Sequence, residues 1–159
     1  MANITLITVG TLKEEYLKDA VLEYKKRLSQ YARVEEINIK EERIVNEDDR
    51  TEISRALAKE GEKILSAVPK GASKIALCVE GTQYTSEKLA SLIGSLCDSA
   101  GKIALIIGSS HGIADTVKGV CDARISLSAL TFPHQLARVI LYEALYRSFT
   151  ILAGKRYHK

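Results

Sequence analysis

The sequence predicts an α/β fold in which a largely parallel sheet is flanked by helices. Short apolar runs of strand length alternate along the chain with amphipathic stretches of helical length, and strands separated by helices usually pair in parallel. Runs such as KIALIIG are apolar after their first residue, which is typical of strands covered on both faces. With 159 residues, of which 46% are hydrophobic, we expect one domain over residues 1–159.

The first half of the chain begins with a strand and a helix. NITLITVG ends at Gly10, and Leu17, Val21 and Leu28 follow at helical spacing. VEEINIKEE alternates apolar and polar residues, which predicts a half-exposed strand. The charged segment RIVNEDDR then predicts the cap of a helix that runs to about Val68.

The second half repeats the alternation of strand and helix. KIALCVEG predicts a buried strand, and Thr85 or Ser86 caps a helix that stops at Gly101. KIALIIG predicts the next strand, SSHGIADTVKGVCDA a turn with a short helix, and RISLSAL the last strand. Pro133 marks the start of the final helix, because the first helical turn tolerates proline.

Composition limits the classes of partner and compartment. A net charge of +3 is compatible with an RNA partner, but it is weaker than that of most autonomous nucleic-acid binders. The three cysteines form no C-x-x-C pair, which favours reduced packing residues in a cytosolic protein. The start MANITLITVG lacks the features of a secretory signal, and no apolar run approaches the length of a membrane span. We therefore expect a cytoplasmic protein with no membrane partner.

Three strand ends predict one ligand pocket. They are LCVEG at 77–81, IIGSSHG with Gly108 and Gly112, and SLSALTFPHQ at 126–135. Ligands of open α/β sheets bind outside the carboxyl ends of the strands, and glycines let the backbone approach a ligand closely. Each glycine taken alone is more often a simple turn residue.

The chemistry of this pocket excludes some classes of ligand. No G-x-x-x-x-G-K-[ST] or G-x-G-x-x-G pattern follows a strand, so we expect no grip on a phosphate group. His111, His134 and His158 show no i, i+4 pairing, and no cysteine or serine lies in a recognisable nucleophile pattern. We therefore expect no metal and no covalent nucleophile.

The helix after Pro133 is apolar on nearly every side. We assign one set of side chains to the sheet: Leu136, Val139, Ile140, Leu145 and Phe149. A second set extends the apolar surface beyond that face: Ala137, Leu141, Ala144 and Ile151. A helix with two apolar faces must be covered twice. A second copy of the chain, in a homodimer, is the favoured cover, and a central core helix in a monomer is the alternative.

Several long blocks of the chain resemble one known family. The block LSALTFPHQLARV, the later E-x-L-Y-R, the final YHK, and the loops IALCVEG and IIGSSHG are similar to the RlmH family of SPOUT methyltransferases. These enzymes methylate N3 of a pseudouridine in large-subunit (23S) ribosomal RNA. The resemblance implies a SPOUT-type fold with a deep trefoil knot, which is an exception among folds. It also implies a homodimer, S-adenosylmethionine (S-adenosyl-L-methionine) as methyl donor, and the RNA of the assembled ribosome as partner.

The resemblance also implies which residues bind the cofactor. They are Leu77, Gly108, Leu127, Ser128, Ala129, Leu130, Thr131 and Phe132. The pocket formed by the three strand ends adds Gly81 to this set. The family usually has a second glycine where this chain has Ser109. A serine permits the same loop when its φ is negative.

Methylation of a pseudouridine N3 requires the loss of an imide proton. The candidates for this step are Arg138, as a cation beside the developing anion, and Tyr157 and His158 in the tail; His134 is a weaker candidate. Two other functions remain open. The chain could be a non-catalytic ribosome-binding module that uses its mild basic charge, or a related knotted methyltransferase that acts on transfer RNA.

Overall fold

A computed structural model describes residues 1–159 as a five-stranded sheet between two layers of helices. In chain order, the elements are β1 (Ala2–Val9), α1 (Glu15–Leu28), β2 (Ala32–Ile39), α2 (Arg50–Ala67), β3 (Ser73–Gln83), α3 (Ser86–Ala100), β4 (Lys102–Ile107), α4 (Asp115–Gly119), β5 (Ala123–Ser126) and α5 (His134–Leu152). No helix has both the length and the hydropathy needed to cross a membrane.

The strand order is β2-β1-β4-β3-β5, and every neighbouring pair is parallel. The predicted α/β architecture with a largely parallel sheet is confirmed. Because all strands run the same way, the loops that follow β3, β4 and β5 leave one edge of the sheet together. Between β3 and β5 the register shifts, so that Leu77 and Thr82 both lie opposite Ile125. Residues 78–81 therefore leave the regular pairing.

Both faces of the sheet are buried. Ile4 and Leu6 of β1 belong to the core beneath α1, α3 and α5. Ile7 and Val9 belong to a second core beneath α2 and α4. This arrangement explains why the strands are apolar at successive positions, since neighbouring side chains enter different cores.

Local signals define most of the element ends. The Asp49 side chain accepts hydrogen bonds from two backbone N–H groups at the start of α2. The Thr85 side chain accepts one such bond, from Lys88 N, at the start of α3. Gly101 ends α3 in the left-handed conformation, with φ of 67°. These three signals were predicted. The last strand was predicted too long, because β5 ends at Ser126, whose hydroxyl donates to the carbonyl of Ser128 at 3.0 Å and turns the chain away.

Helix α5 is oriented differently from the sequence assignment. Leu141 was assigned to the outer surface, yet it is 1% exposed and packs in the chain's own core. Leu136 and Ile140 were assigned to the sheet, but neither belongs to a core cluster, and Leu136 is 39% exposed. Because α5 packs against both α1 and α3, its own chain covers more of its surface than the sequence pattern indicated.

A buried polar network fixes the first half of α5. The Arg138 guanidinium is 2% exposed and donates to Glu36 Oε1 at 3.2 Å and to the Gly10 carbonyl at 3.0 Å. The other Glu36 oxygen accepts from the Tyr142 hydroxyl at 3.1 Å and from Lys25 Nζ at 2.6 Å. Burial lowers the pKa of Arg138 and raises the pKa of Tyr142, and the carboxylate of Glu36 opposes the first shift. The network joins α1, β2, the end of β1 and α5.

We expect the substitution Glu36→Ala to lower the free energy of unfolding by about 3–5 kcal/mol, because it leaves the Arg138 cation buried without its carboxylate. The matched control is Glu35→Ala, which removes the neighbouring exposed carboxylate of the same strand. Chemical denaturation of both variants and of the wild type measures the difference. Equal stability of the two variants would contradict this account of the network.

Candidate active site

A cavity of about 800 Å³ lies at the carboxyl ends of β3, β4 and β5. The three strand-end loops that the sequence singled out form its walls. Seven of the predicted cofactor-binding residues line it: Leu77, Gly108, Leu127, Ser128, Leu130, Thr131 and Phe132. Gly81 and Ala129 are not in the wall. The structure therefore brings together most of the predicted site from three separate stretches of chain.

Gly81 contributes to the sheet beside the cavity. A Cβ at this position would lie 2.6 Å from the carbonyl carbon of Ile125 and 2.9 Å from its nitrogen. Real Cβ atoms do not approach a backbone this closely, so the absence of a side chain lets β3 and β5 come together where their register shifts. The sequence indicated a close approach at Gly81, and the structure shows one to the backbone of β5. Its contact with a cofactor stays a prediction.

The turn from Gly108 to Gly112 closes the next wall. The amide of Gly112 donates to the Ser109 carbonyl at 2.9 Å, and Gly112 has φ of 95°. A Cβ on Gly108 would lie 2.1 Å from the Gly112 carbonyl oxygen. Gly108 is thus required by the turn itself, before any ligand binds. No residue other than glycine has a positive φ, so Ser109 fits this loop, as the sequence predicted.

The loop 127–132 forms the third wall, and most of its backbone groups have no hydrogen-bond partner within the chain. Leu130 N donates to Ser128 Oγ at 3.0 Å, and this bond helps to set the path of the loop after Ser126. None of the backbone groups of 127–132 takes part in the backbone hydrogen bonds that hold turns and loops elsewhere in the chain. Several N–H and C=O groups beside an apolar wall are therefore available to a ligand.

Four further polar side chains line the cavity: Glu80, His111, Lys118 and His134. The first two and His134 belong to the loops that the sequence singled out, whereas Lys118 was not predicted as part of the site. Glu80 lies within the predicted strand KIALCVEG, whereas Lys118 reaches the cavity only because α4 packs beside β3. The sequence carries no signal for the contact between Lys118 and Glu80, because the two residues are 38 positions apart and meet only through the packing of α4 on β3. No group of three or more His, Cys, Asp or Glu side chains is placed to hold a metal ion.

Of the four candidates for the proton step, His134 lines the cavity, whereas Arg138, Tyr157 and His158 lie outside its wall. Arg138 is engaged in the buried network described above. The Tyr157 hydroxyl donates to Glu143 Oε1 at 3.2 Å, and burial raises the pKa of Tyr157. His158 Nε2 lies 2.8 Å from Glu87 Oε1 at the start of α3. The tail is thus held against α3 and α5 of its own chain, and a direct catalytic role for these residues stays a prediction.

Comparison with known proteins agrees with this geometry. The model of the family described as "Predicted SPOUT methyltransferase" matches residues 2–158. The chain belongs to the SPOUT methyltransferase family.

Several curated SPOUT relatives match almost the whole chain. A protein of Caldicellulosiruptor saccharolyticus named "Ribosomal RNA large subunit methyltransferase H" is 45% identical over 156 residues, which cover 98% of this chain and 99% of the relative. A protein of the same name from Shouchella clausii is 44% identical over 158 residues, which cover 99% of each chain. The resemblance to the RlmH family is thereby confirmed.

Solved structures of methylases share the SPOUT fold at low identity. A probable methylase family protein from Haemophilus influenzae Rd KW20 has a TM-score of 0.61 at 16% identity and covers 98% of this chain and 70% of its own. A probable methyltransferase from Bordetella pertussis Tohama I has a TM-score of 0.55 at 14% identity, and the match covers 93% of this chain and 96% of that protein. At these identities the two structures support the fold alone.

We expect Gly108→Ala to lower the free energy of unfolding by about 1–3 kcal/mol, because the new methyl group displaces the Gly112 carbonyl and deforms the turn. The control is Gly119→Ala, since a Cβ at Gly119 has no heavy atom within 4 Å. Thermal unfolding of both variants and of the wild type measures the difference. A Gly108→Ala protein with wild-type stability would contradict the tight turn.

Proposed function

We propose that this SPOUT protein methylates N3 of a pseudouridine in large-subunit (23S) ribosomal RNA with S-adenosylmethionine as methyl donor. The near full-length identity of 44–45% to enzymes named for large-subunit ribosomal RNA methylation carries the proposal. The cavity supports it, because it lies where ligands of parallel α/β sheets bind. No observation favours a non-catalytic module or a transfer-RNA substrate.

The residues of the cavity fit this cofactor. A volume of about 800 Å³ lies within the range of small-molecule sites. Leu77, Ile107 and Phe132 supply apolar wall for a flat purine, and the unpaired backbone of 127–132 supplies donors and acceptors for its edge. The cofactor has no phosphate group, so the loop after β4 needs no phosphate-binding lysine. Leu77, Gly108 and 127–132 would hold the adenosine.

The reaction requires alignment and the removal of one proton. Bound S-adenosylmethionine supplies a methyl group on a positively charged sulfur. Transfer forms an N–C bond at N3, breaks the C–S bond and releases the N3 proton. The cavity walls would fix the approach of the acceptor, while the tail residues Tyr157 and His158 are the proposed groups that handle the proton.

We also propose that residues 1–159 form one domain whose chain path is knotted. After β5, at one edge of the sheet, loop 127–133 leads to α5, which packs on α1 and bonds through Arg138 to the end of β1. The loop therefore crosses the ends of the central strands. This crossing supports the deep trefoil knot that the family resemblance implies.

A homodimer through α5 belongs to the same proposal. Leu136, Ile140 and Ala144 recur every four residues and so share one face of the helix. None of them belongs to the core clusters of the chain. An apolar stripe that the chain leaves outside its own cores is available to a second copy.

We expect ribosomal RNA from cells that lack the gene to contain no N3-methylated pseudouridine, and we expect the wild-type gene to restore it. Mass spectrometry of ribosomal RNA nucleosides measures the modification. Purified protein with S-adenosylmethionine should methylate ribosomes from the deletion strain and leave transfer RNA unchanged. An unaltered nucleoside content, or transfer to transfer RNA alone, would overturn the proposed substrate.

We expect deletion of Tyr157–Lys159 to lower methyl transfer to ribosomes about 100-fold or more, because it removes the proposed proton-handling groups. Affinity for S-adenosylmethionine should stay unchanged, since these residues do not line the cavity. Deletion of Lys159 alone is the control. Full transfer by the truncated protein would remove the tail from the mechanism, and lost cofactor affinity would make it part of the pocket.

A further inference from the structure

Two oppositely charged side chains face the candidate cofactor cavity. They are Lys118 of α4 and Glu80 of β3, and every other residue of the wall is neutral, apolar or a histidine. The Lys118 ammonium forms an ion pair with the Glu80 carboxylate and lies 3.8 Å from Asp115 Oδ1. Asp115 is fully exposed and outside the wall. The cavity thus has one cation and one anion, side by side.

The local fold explains the position of the pair. Glu80 lies in the segment 78–81 that leaves the regular register between β3 and β5. Helix α4 begins directly after the Gly108–Gly112 turn and carries Lys118 to the same side of the cavity. The Lys118 side chain is 15% exposed and the Glu80 side chain 55%. The hydrogen bond from Lys118 lowers the pKa of Glu80, so the carboxylate is ionised when a ligand arrives.

S-adenosylmethionine has two chemically different ends. The adenosine is flat and uncharged, and suits the apolar wall and free backbone of 127–132. The amino-acid end carries an α-carboxylate and an α-ammonium, a pair of charges that matches a neighbouring cation and anion in the protein. We infer that Lys118 binds the α-carboxylate and Glu80 the α-ammonium of the cofactor. This inference rests on the proposed function, since it assumes that the cavity takes this cofactor.

The exchange of partners is energetically feasible. An ion pair with one half-exposed member contributes little stability, so the Lys118–Glu80 bond opens at low cost. When the amino-acid end enters, each protein charge gains a partner of opposite sign, and no charge is left buried and unpaired. The pair thereby distinguishes a complete cofactor from adenosine fragments. It also disfavours adenine nucleotides, because Glu80 repels a phosphate in the position of the ammonium.

Two ligands separate the contribution of the amino-acid end to the affinity from the contribution of the adenosine. S-adenosylhomocysteine, the product left after methyl loss, and methylthioadenosine share the adenosine and an uncharged thioether, and only the former has the amino-acid end. Calorimetry measures the affinity of wild type, Lys118→Met and the control Lys70→Met for both ligands. Lys70 is exposed and outside the cavity, so its substitution makes the same change of net charge elsewhere.

We expect Lys118→Met to weaken S-adenosylhomocysteine binding about 10- to 100-fold and methylthioadenosine binding less than about threefold. Lys70→Met should leave both affinities unchanged. We expect Glu80→Gln to weaken S-adenosylhomocysteine binding by a smaller factor, because its side chain is more exposed. Retained methylthioadenosine affinity also verifies that the variant pockets are folded.

The alternative outcomes separate the two proposals. Equal losses for both ligands in Lys118→Met, or no loss for either, would overturn the role of the pair while leaving the methyltransferase proposal intact. A wild-type protein that binds neither ligand would overturn both. A loss confined to S-adenosylhomocysteine supports the assignment of Lys118 as the carboxylate-binding residue.

Discussion

The position of α5 depends on one buried cation. The Arg138 guanidinium bonds to the carbonyl that ends β1 and to Glu36 of β2, so the helix is fixed at the end of the sheet opposite to the edge strand β5. The chain must cover this distance in the few residues after Ser126. The loop 127–133 therefore passes over the carboxyl ends of the central strands, and the cavity is the space beneath it. Since a buried charge must be paired, the path of this loop over the cavity depends on the network.

The other walls depend on contacts between backbones. At Gly81 two strands approach more closely than any side chain permits, and at Gly108 a turn closes on itself. These two glycines fix the positions of segment 78–81 and residues 109–112, which form the cavity together with loop 127–132. Apolar and polar side chains share the cavity wall. Because backbone contacts fix these segments before a ligand enters, ordering the wall on binding would cost little conformational entropy.

The sequence predicted the parallel sheet, most element ends and the three loops that form the cavity, because periodicity, caps and strand ends are local properties. It could not orient α5. Leu136, Ile140 and Leu141 are all aliphatic, and only the packing of α5 between α1 and α3 decides which of them is buried. The ion pair between Arg138 and Glu36 could not be predicted either, since 102 residues separate the two in the sequence. Lys118 was missed for the same reason, whereas Leu77 and Phe132 were expected at the cavity because the family resemblance implied them and the loops that contain them were singled out.

The buried network also constrains how the chain folds during synthesis. The bond from Arg138 to Gly10 spans 128 residues. Strand β1 pairs with β2 and β4, so its second edge stays unpaired until β4 has been synthesised. Contacts of such high sequence separation slow folding. Glu36 has its buried cation only when α5 has emerged from the ribosome. The amino-terminal half therefore cannot reach its native charge balance until α5 has been made, and shorter nascent chains expose an unfinished sheet to aggregation and to chaperones.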